Sequence, residues 1–263
     1  MVAQWFREGK VAIITGGSSG IGYSIAGELV KKRLNVILLA RRAGALDDAK
    51  KKLGSENVET ISADVTSFDS LNNAREKILR RFDRIDLLVN CAGVVKPALF
   101  ADLSEDDITF QISVNLLGLI YCTKTFIGSL SEGAAVINIS SVNGIFGIAG
   151  YSPYAASKFG VVGFSDSLRR ELFKKRISIH VVFPPDTDTP QYRNECEHMP
   201  SWMAGWVRSN PMKPEVVARR ILKAASRGRF LIFPNMSTKF YSFMVHHLPL
   251  LSRFLLDKIV PKP

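Results

Sequence analysis

VAIITGGSSGIG, residues 11–22, opens on four apolar residues and ends in a loop built almost wholly of glycine and serine. Beyond it Ile25, Ala26, Leu29 and Val30 recur at helical spacing. Strand, glycine turn and helix, in that order, is the setting in which such glycines bind phosphate. Having no side chains, Gly16, Gly20 and Gly22 permit a tight turn, close approach of a pyrophosphate and close packing of helix on strand. Ser18, Ser19 and Ile21 complete the loop, and the helix start adds free N–H groups and a positive dipole end. A plain strand-to-helix turn needs fewer glycines, so the loop reads as a nucleotide site.

Working outward, the same alternation repeats. Strands are expected at 35–40, 58–63, 85–89, 134–139, 177–183 and 229–233, and helices at 43–53, 69–81, from Ser104 onward, from Tyr154 to about 175, and at 214–227. Such alternation implies an α/β, Rossmann-type, doubly wound parallel sheet in three αβα layers. Residues 1–235 form the expected dinucleotide-binding catalytic domain, with a lid at about 191–214 where the pattern weakens. Residues 236–263 form a basic, apolar C-terminal extension.

Chemistry-bearing residues fall at the ends of the expected strands. An NAD-preferring site usually carries an acid after the second strand to hold the ribose 2′-hydroxyl. Here Arg41 and Arg42 stand there instead, and two guanidinium groups suit a 2′-phosphate, hence NADPH/NADP+. Asp64 and Val65 close the third strand where an adenine would lie. The small residues of Asn90-Cys-Ala92-Gly93 would let the cofactor pass close to the backbone. Asn115 is polar amid Val114, Leu116 and Leu117, which on its own suits a satisfied core amide. Tyr154 and Lys158 are four apart, so a helix stacks them on one face. A phenol is a poor acid–base catalyst at neutral pH, and an ammonium one turn away is expected to pull its pKa down. Ser141, at the end of the apolar run from Ala134, is placed to hold a carbonyl oxygen while Tyr154 delivers a proton.

The whole composition is that of an ordinary globular chain, 263 residues with 46% hydrophobic and 22% charged, which excludes wholesale disorder. Cys91, Cys122 and Cys196 offer neither a disulfide framework nor metal-ligand spacing, so no metal is expected and a reducing compartment is favoured. The N-terminus lacks the apolar core of a secretory signal, and no stretch reads as a spanning helix. Of the net charge of +11, the last 63 residues hold +9, eleven Lys or Arg against Glu215 and Asp257.

Together these motifs resemble the short-chain dehydrogenase/reductase family, over roughly residues 8–235: TGGSSGIG at 15–22, Asp64, NCAG at 90–93, Asn115, Ser141 and YAASK at 154–158. The thirteen-residue separation from Tyr154 selects Ser141 over Ser140. The resemblance implies a catalytic tetrad. Tyr154 would be the acid or base, Lys158 would bind ribose and lower the tyrosine pKa, and Ser141 would orient the substrate oxygen. Asn115 would hold a helix kink and a water feeding protons toward Lys158. The chain departs from the family at Pro184-Pro185, where Pro-Gly is usual, and the nicotinamide-binding loop would fall on Thr187 and Thr189. PPDTDTP at 184–190, the GGSSGIG loop and Ala40-Arg41-Arg42 are similar to the 3-ketodihydrosphingosine reductases, which are membrane-associated.

The activity implied is reduction of a ketone by NADPH, the rival being a non-catalytic NADP(H)-sensing protein on the same fold. Met199, Trp202, Met203, Trp206 and Val207 give the lid an apolar character suited to a lipophilic ketone. A 3-ketosphinganine-like substrate comes first, a 3-oxoacyl thioester second, and a steroid or other lipophilic ketone third. In the extension, Phe240, Phe243, Met244, Leu251, Phe254, Leu255 and Ile259 recur at helical spacing near Lys239, Arg253, Lys258 and Lys262. That pattern suits an anionic membrane surface or a second subunit of a homodimer or homotetramer, not nucleic acid. The expected location is cytoplasmic, peripheral on the membrane.

Overall fold

The computed structural model describes residues 3–206 and 210–259, without the side chains of 204–206 and 259. Seven strands, β1 (Val11–Thr15), β2 (Asn35–Ala40), β3 (Val58–Ser62), β4 (Ile85–Asn90), β5 (Leu130–Ile139), β6 (Ser178–Val182) and β7 (Leu231–Ile232), form one parallel sheet. Their order is β3-β2-β1-β4-β5-β6-β7. Near-continuous apolar runs make these strands, because helices cover both faces and leave no side for polar residues. Ala12 and Ile14 point to one face, and Val11 and Ile13 to the other.

Helices α1 (Gly20–Val30) and α2 (Ala43–Leu53) cover the first face, with α8 (Pro214–Ala225). The second is covered by α3 (Phe68–Leu79), α5 (Gly118–Phe126) and α6 (Ser152–Glu171). Each fully buried Ile or Leu in these layers contributes about 1.5–3 kcal/mol. α4 (Glu105–Ile112) starts on a capping box between Ser104 and Asp107, then runs through a π-helical turn, Ser113–Leu117, into α5.

Glu105–Ser129 is the described segment nearest to a spanning helix, though it is not a run of about 18 uncharged apolar residues. Among the described residues it is long and apolar enough to cross a membrane, with a mean hydropathy of 1.2, but half of it is buried within the fold. It packs against α3 and the sheet as a core helix.

The lid is partly helical: α7 (Pro190–Glu197) is followed by a 3-10 segment, Ser201–Trp206. Met199 and Trp202 pack on the body and Met203 is fully buried; the Trp206 side chain and Val207 lie outside the described residues. The extension folds as α9 (Met236–His247) and α10 (Pro249–Ile259). Tyr241, Val245 and Leu256 from these helices pack into a third apolar cluster with Phe146, Tyr151 and Tyr154. The Ile259 side chain and Lys262 lie outside the described residues.

Candidate active site

The strand order reverses between β1 and β4, where parallel α/β sheets open a crevice beyond their carboxyl ends. Register brings Thr15 beside Asn90, Asn90 beside Asn138, and Ile139 beside Val182. Four loops therefore leave one sheet edge together: the glycine loop, Asn90–Gly93, Ser140-Ser141, and Pro184–Thr189. Residues scattered over 170 positions of sequence thus share one site by topology alone.

The glycine loop and the β4 loop are locked together. Thr15 Oγ1 accepts from the Cys91 and Ala92 N–H groups at 3.0 and 3.2 Å. Gly16 has φ +67°, and a Cβ there would stand 2.9 Å from the Ala92 backbone. Gly20 has φ +57° and faces the Thr189 methyl, which a Cβ would approach to 3.0 Å. Ser19 precedes α1 without a side-chain capping bond, and no acid occupies the first turn of the helix. The first N–H groups of a helix have no intrahelical partner and attract an anion. These residues fit a dinucleotide. Gly16, Ser18, Ser19, Gly20, Ile21 and Gly22 would hold its pyrophosphate, and Thr189 faces Gly20 across the crevice. Pro184 and Thr187 are expected beside it, but Thr187 is buried and its hydroxyl donates to the Pro185 carbonyl at 2.7 Å.

Arg41 and Arg42 are exposed at the end of β2, and the Arg41 guanidinium lies 5.5 Å over the Phe110 ring. One Asp64 carboxylate oxygen accepts from the N–H and hydroxyl of Thr66, which shapes the turn that carries buried Val65. Asn90 differs from expectation. Its amide points into the fold, donating to Thr123 Oγ1 and Asn138 Oδ1 at 2.9 Å each, so its side chain braces the β4–β5 edge. Ala92 and Gly93 remain at the loop surface, and a Cβ on Gly93 would stand 3.6 Å from Lys158 Nζ.

Asn115 sits in the π turn, where an extra backbone residue turns its side chain sideways. Its amide clamps the β4 loop to α6. It accepts from the Val94 N–H at 2.8 Å and donates to the Val94 carbonyl at 2.9 Å and Ser157 Oγ at 3.1 Å. π turns of this kind recur at functional sites.

Ser141, Tyr154 and Lys158 come together as expected. Pro153 in the first turn of α6 fixes the helix start, and the Ser141 hydroxyl lies close enough to the Tyr154 phenol to act on its pKa. The Asn143 N–H in turn donates to Ser141 Oγ at 3.2 Å. Lys158 is buried, its Nζ 5.5 Å from the centre of the Tyr154 ring and 3.1 Å from the Ile139 carbonyl that it donates to. Burial pulls the lysine pKa down to about 8.

The expected lowering of the Tyr154 pKa is not found. Burial first, then the negative charges of Glu195 and Asp186, hold it well above the usual phenol value, against the opposing influence of the Ser141 hydroxyl. The lysine is aimed at a backbone carbonyl, not at the phenol oxygen. A phenol held in its protonated form is nevertheless the state that donates a proton. Ser141 marks the oxygen it would serve.

Four residues beside the tetrad were not singled out from sequence. Thr15 was legible as the threonine opening the glycine loop. Asn143, two residues beyond Ser141, was not. Tyr151 donates its hydroxyl to Glu195 Oε1, across 44 residues of sequence, which no local pattern could reveal.

A family model described as short chain dehydrogenase matches residues 10–200. The chain is 33% identical over 232 residues to the 3-ketodihydrosphingosine reductase of Bos taurus, covering 84% of this chain and 70% of that protein. It is also 33% identical over 238 residues to a 3-oxoacyl-acyl-carrier-protein reductase of Thermotoga maritima, covering 83% and 91%. Among solved structures, a short chain dehydrogenase/reductase from Burkholderia phymatum in complex with NAD superposes with TM-score 0.82 over 97% of both chains. At 22% identity that likeness speaks for the fold alone. The family model runs through the glycine loop, the β4 edge and the Tyr154 helix, and the chain belongs to the short-chain dehydrogenase family as one of its oxidoreductases.

Proposed function

We propose that this oxidoreductase reduces a lipophilic, long-chain ketone with NADPH, a 3-ketosphinganine-like substrate being the first choice. The observation that carries it is the juxtaposition of Ser141 and Tyr154 at the edge of an apolar cluster. Ile145, Phe146, Ile148 and Met203 form that cluster with Tyr154, and the C-terminal helices pack on it. The bound dinucleotide would supply the hydride. Ser141 would hold the ketone oxygen and Tyr154 would protonate it as charge develops there. Arg41 and Arg42 support the choice of NADPH, since no acid follows β2 to hold a 2′-hydroxyl.

A 3-oxoacyl thioester is the second reading, because relatives named for that substrate are as similar to this chain as those named for the ketosphinganine. NADPH oxidation by the purified protein should be fastest with the long-chain amino ketone, and stimulated by lipid vesicles. Activity confined to the carrier-protein thioester would overturn the first choice.

We also propose that α9 and α10 lie on an anionic membrane surface. Phe240, Phe243, Leu250, Leu251 and Phe254 are exposed there, and Lys239, Arg253 and Lys258 flank them. Lys258 Nζ sits 4.3 Å over the Phe254 ring, keeping a cation at the edge of the apolar face. Apolar faces edged by lysine and arginine suit an interfacial helix. Full-length protein is expected to float with anionic vesicles and not with zwitterionic ones, and Leu250→Glu with Phe254→Glu should abolish flotation. Truncation is a poorer test, because it would uncover Phe146. If the wild type stays at the bottom of the gradient and sediments as a dimer that the same substitutions dissociate, the face belongs to a second copy.

A further inference from the structure

α7 leaves the β6 loop and brings Glu195 against Tyr151, whose hydroxyl donates to Glu195 Oε1. The Tyr151 ring lies 6.2 Å from that of Tyr154, so this carboxylate stands one ring beyond the reacting phenol. Burial pushes the Glu195 pKa up to about 7 against the Tyr151 bond, with Asp186 adding in the same direction, and no basic side chain among the described residues counters it. In a chain of net charge +11, a partly buried carboxylate facing a second acid instead of a cation is poorly matched to its environment. Asn143 is buried, its N–H donates to Ser141 Oγ, and its Oδ1 has no hydrogen-bond partner.

We propose that Glu195 is the seat for a cationic group carried beside the substrate ketone, so that the site selects an amino ketone over the same ketone without the amine. This rests on the ketone-reductase reading of the Ser141–Tyr154 pair. An ammonium offers three donors and no acceptor, which suits a carboxylate whose one hydrogen bond among the described residues comes from the Tyr151 hydroxyl. With the ketone oxygen on Ser141 and Tyr154, an amine on the adjoining carbon is carried toward one side of that pair. Its charge would restore the carboxylate form of Glu195 and offset the negative field that Glu195 places on Tyr154. A 3-oxoacyl thioester has no cation beside its ketone and leaves Glu195 uncompensated. Glu195 is thus a specificity-determining residue; the proton still comes from Tyr154.

The test uses the full-length protein with NADPH and three ketones of equal chain length: the 2-amino-3-ketone, its N-acetyl derivative and the ketone without nitrogen. Wild type is expected to prefer the amine by about tenfold or more in kcat/KM, mostly through KM, as for a site built around a polar group of its substrate. Glu195→Gln should collapse that ratio, whatever it does to absolute rates, and Glu195→Asp should restore part of it. Tryptophan fluorescence supplies a second reading, with the long-chain amino alcohol expected to bind wild type more tightly than Glu195→Gln. An unchanged ratio in Glu195→Gln overturns the proposal, as does a wild type that reduces all three ketones equally, which would leave the reductase reading standing. Should wild type reduce none of them yet bind the amino alcohol through Glu195, the cation seat stands and the reductase reading falls. If it neither reduces nor binds, both fall.

Discussion

Tyr154→Phe is expected to cut ketone reduction by about 10²–10⁴-fold, the usual worth of a positioned general acid, with dinucleotide affinity nearly unchanged. The substitution removes one oxygen from a buried ring and keeps its packing with Tyr151 and Phe146 in the apolar cluster. Ser141 retains the Asn143 N–H, so the loop that carries it keeps its anchor. What is lost is the hydroxyl that lies beside Ser141 and is held protonated by burial and the nearby acids. Because that phenol sits above its ordinary pKa, it stays a proton donor throughout the neutral range. Any fall in reduction as pH rises through about 8 then belongs to Lys158, which loses its charge there. Steady-state rates, dinucleotide titration by fluorescence and a melting curve check the three parts. A variant within tenfold of wild type would remove Tyr154 from the chemistry and reopen the non-catalytic reading.

How much of this was readable in advance follows from the range of each interaction. The sheet was legible because most strands are short apolar runs, and its covered faces demand such runs. β5 was the exception: it begins at Leu130, four residues earlier than its apolar run. Ser131 and Glu132 are poor strand formers by pattern. Ser131 is nevertheless held there by its bond to buried Asp86, which also pairs with Lys10. Tyr154 and Lys158 were legible because one helical turn separates them. The π turn at Asn115 was hidden, since Ser113–Leu117 has nothing in its composition to distinguish it from an ordinary helix. Asn90 looked like a cofactor contact from its position after β4. Whether an amide at a strand end faces out or in depends on Thr123 and Asn138, one on a helix and one on the next strand. Glu195 was read past for the same reason, as its partner Tyr151 lies in another loop.

Arg41→Ala with Arg42→Ala is expected to weaken NADPH far more than NADH. The two side chains emerge where β2 ends, at the position from which dinucleotide-binding sheets address the adenosine ribose. Neither forms an ion pair among the described residues, so both guanidinium groups are available to an anion. The exposed Arg41 guanidinium stacks over Phe110, and the Arg41 carbonyl accepts from Ser62 Oγ, which fixes the backbone beneath it. A bond to a charged group is worth about 1.5–3 kcal/mol, so each lost contact to a 2′-phosphate costs roughly 10- to 150-fold in affinity. Exposure and salt pull the figure toward the lower end. NADH has a hydroxyl there and loses little. The lost stacking on Phe110, about 0.5–1 kcal/mol at an exposed site, acts on the protein alone and would weaken both cofactors alike. The ratio of the two dissociation constants therefore isolates the phosphate contact. That ratio should fall by at least about tenfold, and more at low ionic strength than at high, because a phosphate–guanidinium pair is screened. Equal weakening of both cofactors would mean that these arginines shape the loop without reading the phosphate, and the choice of NADPH would lose its basis.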